Sequence, residues 1–182
     1  SNITSANALV QGPVISYWSI NMNTGRLDVY FSENVNPSFT PVGMGIQNAK
    51  KNSTLRYTIS STTTNMHANG TSKTHFYSIL SATDLSAIKY YGIAKSSSTA
   101  WLTSPLGITK ALAPSTVIPY LSIAPLKSNN ALVITSYVAD TSSPLLQSVT
   151  LDLSDGIIRL YFNEPVRASS LVVSGITLLS GQ

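Results

Sequence analysis

At 182 residues, 43% of them hydrophobic, the chain has the means to build a substantial core, yet only 10% of its residues are charged, against about 25% in an average soluble domain. Its net charge of +4 reflects 7 acids rather than an excess of its 11 bases; the bases are scattered, with Lys50 and Lys51 the one adjacent pair, which excludes the clustered stripe of a nucleic-acid surface. The absence of cysteine excludes disulfides and thiolate metal sites, and no apolar run approaches the ~18 residues of a membrane span.

Ser, Thr and Asn cover the surface that charge leaves, which is the look of an extracellular or cell-surface β-protein. The first clear element is a hairpin. Trp18-Ser19-Ile20-Asn21-Met22 alternates apolar and polar, the period of a half-buried strand. Asn23-Thr24-Gly25 supplies a turn in which a positive φ is cheap, and residues 26–31 return. Strands are expected at 55–60 and 75–80. Ser81-Ala82-Thr83-Asp84 reads as a capping box opening one short helix near 82–91, with Leu85 and Ile88 on one face and Gly92 at its end. Further strands are expected at 100–103 and 131–137. Four prolines between 105 and 125 predict a loop with an edge strand. Residues 139–144, polar and ending in Pro144, read as a stiff linker. A second hairpin follows, with Leu151-Asp152-Leu153, the turn Ser154-Asp155-Gly156 and the return strand 157–162.

The two hairpins are copies. Shifted by 131 residues, positions 1–38 lie on 132–169 without a gap and agree at eleven of 38, among them Ile3/Ile134, Thr4/Thr135, Ser5/Ser136, Pro13/Pro144, Gly25/Gly156, Phe31/Phe162 and Glu33/Glu164. Self-similarity at a fixed period marks a repeat architecture. The expected organisation is the end of a preceding repeat at 1–8, a complete repeat at 9–138, a linker at 139–144 and the first part of the next repeat at 145–182. Some three strands are expected in that last part, left open unless continuing sequence or a neighbouring copy completes them. About seven strands and one short helix per repeat predict an all-β fold of Ig-like β-sandwich repeats in tandem.

The string Pro-x-Leu-x-Ser-x-x-Leu-Asp-Leu-x-x-Gly-x-x-x-Leu-x-Phe-x-Glu-x-Val at 144–166 resembles the opening hairpin of bacterial Ig-like and cadherin-like tandem repeats in large surface proteins. The preceding Ala-Asp-Thr-x-x-Pro is similar to their linkers. Thr83-Asp84-Leu85, Ile88-Lys89 and Gly92-Ile93-Ala94 are similar to the mid-repeat helix of a version in algal and other protist surface proteins. The resemblance implies rods of sandwiches used for adhesion, a cell coat or an extracellular filament, and no enzyme.

Three sequons, at Asn2, Asn52 and Asn69, are the candidate glycosylation sites, while Asn36 is blocked by Pro37. Glu33, Asp140, Asp152, Asp155 and Glu164 are oxygen donors near turns, but only the glutamate recurs between copies, and calcium takes six to eight oxygens. His67 and His75, the two histidines, stand without any nucleophile, metalloprotease or phosphate-loop motif, so no cofactor and no catalysis are expected. Tyr17 and Trp18 are neighbours on a strand and must face opposite ways. The expected role is structural, in an extracellular filament, coat or flagellar appendage. The partners are copies of the chain or neighbouring repeats, with glycans possible and neither nucleic acid nor membrane insertion. A carbohydrate-binding or adhesin module, identified by an exposed aromatic platform, is the alternative, as is a non-catalytic accessory region of a secreted hydrolase.

Overall fold

The computed structural model describes residues 12–35, 40–63, 66–104 and 123–179. The chain divides into two compact units, with the boundary between Asp140 and Thr141. The first unit contains β1 (Ile15–Asn21), β2 (Arg26–Phe31), β3 (Gly45–Gln47), β4 (Arg56–Thr58), β5 (His67–Ala68), β6 (His75–Ile79), the helix α1 (Ala82–Tyr90), β7 (Trp101–Thr103), β8 (Leu132–Val133) and β9 (Ser136–Val138). The second contains β10 (Leu146–Asp152) and β11 (Ile157–Phe162). The fold is all-β with one α-helix among the described residues, and no helix there is long and apolar enough to cross a membrane.

In the first unit a five-stranded sheet runs β5-β6-β2-β1-β9 and a four-stranded sheet runs β4-β3-β7-β8. The pairings are antiparallel except that β9 lies parallel to β1. One core takes side chains from both sheets and from the helix: Trp18, Ile20, Leu27, Val29 and Phe76 from the first sheet, Ile46 and Leu102 from the second, and Ile88 from α1.

Alternation explains most of what faces inward, and a bulge explains the exception. Ile15 pairs with Phe31 and Tyr17 with Tyr30, so Ser16 is an extra residue in β1. The bulge turns Ile15 inward beside Trp18, three residues on, where unbroken alternation would have sent one of them to solvent. Trp18 is fully buried, and its indole N–H donates to Leu132 O at 3.0 Å. Tyr17 is 45% exposed on the other face.

The segment 131–137, expected as one strand, is two. β8 pairs with β7 in the four-stranded sheet, and β9 pairs with β1 in the other. Ile134 and Thr135 make the crossing, their N–H groups donating to Ala100 O at 3.2 Å and Trp18 O at 3.0 Å, so the backbone stays hydrogen-bonded where the chain changes sheets.

Half of the expected capping box forms. Ser81 Oγ accepts from Asp84 N–H at 3.1 Å, but the Asp84 carboxylate does not reach back to the Ser81 N–H, which donates to Thr63 Oγ1 instead. Asp84 is buried and turned toward β4 and the loop that follows it. It accepts from Tyr57 Oη at 2.6 Å, from Ser60 N–H at 3.1 Å and from the Thr63 hydroxyl. Gly92 follows the helix with φ +69°, in the left-handed region where glycine carries no Cβ penalty.

In the second unit the expected three strands are two. After β11 the chain makes short 3-10 turns at Ala168–Ser170 and Val173–Gly175, with no third strand among the described residues. Most of the 105–125 segment and Asn2 lie outside the described residues.

Candidate functional site

The hairpin β10–β11 reproduces β1–β2 to the level of single hydrogen bonds. Every Cα pairing is displaced by 131: Ile15 opposite Phe31 becomes Leu146 opposite Phe162, and Asn21 opposite Arg26 becomes Asp152 opposite Ile157. The bulge recurs, at Gln147 in place of Ser16. The turn recurs too. Asn21 Oδ1 accepts from the N–H groups of Asn23 and Thr24, and Asp152 Oδ1 accepts from those of Ser154 and Asp155. Gly25 and Gly156 both take positive φ, at +70° and +66°. At the open end the Val14 N–H donates to Ser32 Oγ, and the Leu145 N–H donates to Asn163 Oδ1.

The inward face therefore carries the same apolar set in both copies: Trp18, Ile20, Leu27, Val29 and Phe31 in the first, Val149, Leu151, Ile158, Leu160 and Phe162 in the second. Their surroundings are opposite. The first set is at most 5% exposed, whereas Val149 and Leu151 are 49% and 45% exposed. Residues following β11 curl beside it, and Ile158, Leu160, Phe162, Val166, Leu171 and Ile176 line an apolar groove of about 720 Å3. Val166 corresponds to Val35 and, after one inserted residue, Ile176 corresponds to Met44, and both counterparts are fully buried. The groove is the position that the first unit fills with its own core. Burying a side chain of this size is worth about 1.5–3 kcal/mol, so covering this open face with apolar groups would be favourable.

The outward face of the five-stranded sheet differs between the copies. In the first unit Tyr17, Tyr30 and His75 form a cross-strand ladder, with ring centroids 4.2 and 3.8 Å apart and interplanar angles of 24° and 16°. Asp28 lies in the next row. It accepts a two-pronged bond from Arg26, both arms 2.9 Å, and one from His75 Nε2 at 2.8 Å, while the Arg26 guanidinium sits 4.2 Å over the Tyr77 ring. Burial pushes the Asp28 carboxyl up, but the bonds from Arg26 and His75 outweigh it and hold the group below its ordinary value. Burial, and then the Asp28 charge, pushes the Tyr30 hydroxyl up. His75 Nδ1 faces Asn69 Nδ2 at 2.8 Å. An amide nitrogen only donates, so Nδ1 accepts and Nε2 carries the proton that goes to Asp28.

Both imidazole nitrogens of His75 are thus hydrogen-bonded within the first unit. In the ladder Tyr30 is stacked between Tyr17 and His75, and Tyr17, at one end, stays 45% exposed. At the corresponding outward positions the second unit keeps Tyr161 for Tyr30 but has Ser148 for Tyr17, Arg159 for Asp28 and Ile157 for Arg26, so the Tyr17–Tyr30 stack and the Arg26–Asp28 pair do not recur. Sequence reasoning missed the Asp28–His75 pair, because the two residues are 47 positions apart and meet only through the β2–β6 register. His67 is exposed at the same face, its ring 5.8 Å from that of Tyr77.

The other singled-out residues are dispersed. Asp140 pairs with Lys89 Nζ at 3.0 Å. Glu164 Oε1 accepts from Ser142 Oγ at 2.7 Å, and Glu33 is exposed after β2. Among the described residues no three His, Asp or Glu side chains lie together as a metal site would need. Asn52 is exposed in the loop between β3 and β4 with φ +52°, at the rim of a cavity of about 370 Å3 shared with Arg56, Ser128 and Asn129. Asn69 is also exposed, with its amide nitrogen already bonded to His75.

Compared with known proteins, the chain matches no family model, no curated protein and no solved structure.

Proposed function

We propose that this chain is a structural section of an extracellular tandem-repeat protein, built from Ig-like β-sandwiches and serving a surface filament, coat or appendage. One observation carries the reading: a single hairpin geometry occurs twice, 131 residues apart, buried in a finished core the first time and open the second. Two sheets contributing to one core support a sandwich for the complete repeat. A surface of hydroxyls and amides with 10% charge suits close lateral packing between copies. The engaged His75 and the dispersed acids favour this role over catalysis.

The test is immunogold electron microscopy of the source cells with antibodies raised against residues 12–140. Labelling at regular intervals along a surface filament, coat or appendage is the expected result. Labelling confined to the cell interior overturns the reading.

A further inference from the structure

We propose that the edge of β10 away from β11 binds a second copy of this chain, through that copy's residues 3–7 laid alongside β10 as a parallel strand. The proposal rests on the array reading above and names the contact that would join its members. Its template is the first unit. There β9 covers the edge of β1 away from β2, with Ser19 opposite Ser136, Ile20 opposite Tyr137 and Asn21 opposite Val138. Thr135 N–H donates to Trp18 O at 3.0 Å, and Met22 N–H donates to Val138 O at 2.9 Å. β10 repeats β1 residue for residue, bulge included, but among the described residues it pairs only with β11. Unpaired edges with apolar flanks invite strand addition.

The chain carries a segment that fits. Ile3-Thr4-Ser5 repeats Ile134-Thr135-Ser136 at the same 131-residue offset that relates the hairpins. Carried across, the register sets Ser5 opposite Thr150, Ala6 opposite Leu151 and Asn7 opposite Asp152. Thr4 N–H then donates to Val149 O, and Leu153 N–H to Asn7 O. Ile3 takes the place of Ile134, which is buried in the first unit's core. Two differences make the added strand a lighter one than β9. Ala6 replaces Tyr137, whose hydroxyl donates to Ala94 O at 2.6 Å, and Asn7 replaces Val138. Donor and acceptor are different surfaces of the chain, so the contact is heterologous, and copies add in a row where its rotation does not close.

The cysteine-free chain allows a direct test. Ser5→Cys and Thr150→Cys are made as separate variants, mixed and oxidised; directly opposed residues fall within the roughly 4.4–6.8 Å Cα spacing of a disulfide. The expected product is a dimer containing one of each variant, and the double variant gives a ladder of multimers. Ala6→Cys, which points to the opposite face, cross-links to Thr150→Cys far less. Thr4→Pro removes the donor to Val149 O and weakens self-association by roughly tenfold in sedimentation. No cross-link in the mixture, closure within single chains of the double variant, or unchanged association of Thr4→Pro overturns the proposal. None of these outcomes bears on antibody labelling of residues 12–140, so strand donation can fail while the array reading stands.

Discussion

Asp84 shows how a single buried charge fixes the position of a helix. Burial pushes its carboxyl up, and the hydrogen bonds from Thr63, Tyr57 and Ser60 overcome that, leaving it below the usual carboxylate range. Its partner Tyr57 moves the other way: burial first, then the bond to Asp84, push the phenol up to about 12. The two shifts set opposite limits on stability. A carboxyl lowered by folding adds stability above its unfolded value of about 3.9 and loses it as pH falls through the folded value. A phenol raised by folding adds stability below about 10 and loses it as pH rises toward 12. Urea unfolding of the first unit is therefore expected to weaken at both extremes. Tyr57→Phe should flatten the alkaline limb and cost about 1–3 kcal/mol at pH 7, the usual cost of leaving a buried acceptor short of a donor. Asp84→Asn should flatten the acid limb. An alkaline limb unchanged in Tyr57→Phe would show that ionisation of Tyr57 does not set it.

Between elements, the two hairpins form an internal control, since sequence register and backbone are held constant while burial changes. Trp18→Ala should destabilise the first unit by about 3–5 kcal/mol, the range for truncating a buried aromatic. Val149→Ala, at the same register position but half exposed, should stay within about 0.5 kcal/mol. Denaturant midpoints of the two variants check this, and equal losses would show that β10–β11 is covered in the isolated chain. The hairpins were legible in sequence because a period of two, a Gly-bearing turn and the 131-residue offset are all local or repetitive signals. α1 was legible from Ser81 and Gly92. The two-sheet split of 131–137 was not, because Ile134 and Thr135 look like mid-strand residues and only the neighbouring strands decide which sheet each half joins. β3 and β5, three and two residues long, carry too little pattern to be seen. The role of Asp84 was half legible. Its place in the first turn was visible, but the loop donors it would choose over Ser81 were not.

At the scale of the whole molecule, the sequons differ in what a glycan would disturb. Attachment at Asn69 replaces a hydrogen on the amide nitrogen that already serves His75, whereas Asn52 stands in a loop at the rim of an open cavity. Glycopeptide mass spectrometry of the native protein should find higher occupancy at Asn52 than at Asn69, and the reverse order would reject this steric ranking. The parallel pairing of β9 with β1 has a further consequence, for tension. Among the described residues these are the first and last strands of the first unit, so a pull on its two ends grips the start of β1 and the finish of β9, which lie at opposite ends of the same parallel pair. The load then runs along the strands. The bonds at Trp18 O and Met22 N–H and the ladder between them must shear together, instead of opening one at a time as in an antiparallel hairpin pulled from its free ends. In single-molecule pulling the first unit should resist more strongly when held at its two termini than when held across β1 and β2 at their open end. Equal unfolding forces for the two attachments would show that this strand pair is not what bears the load.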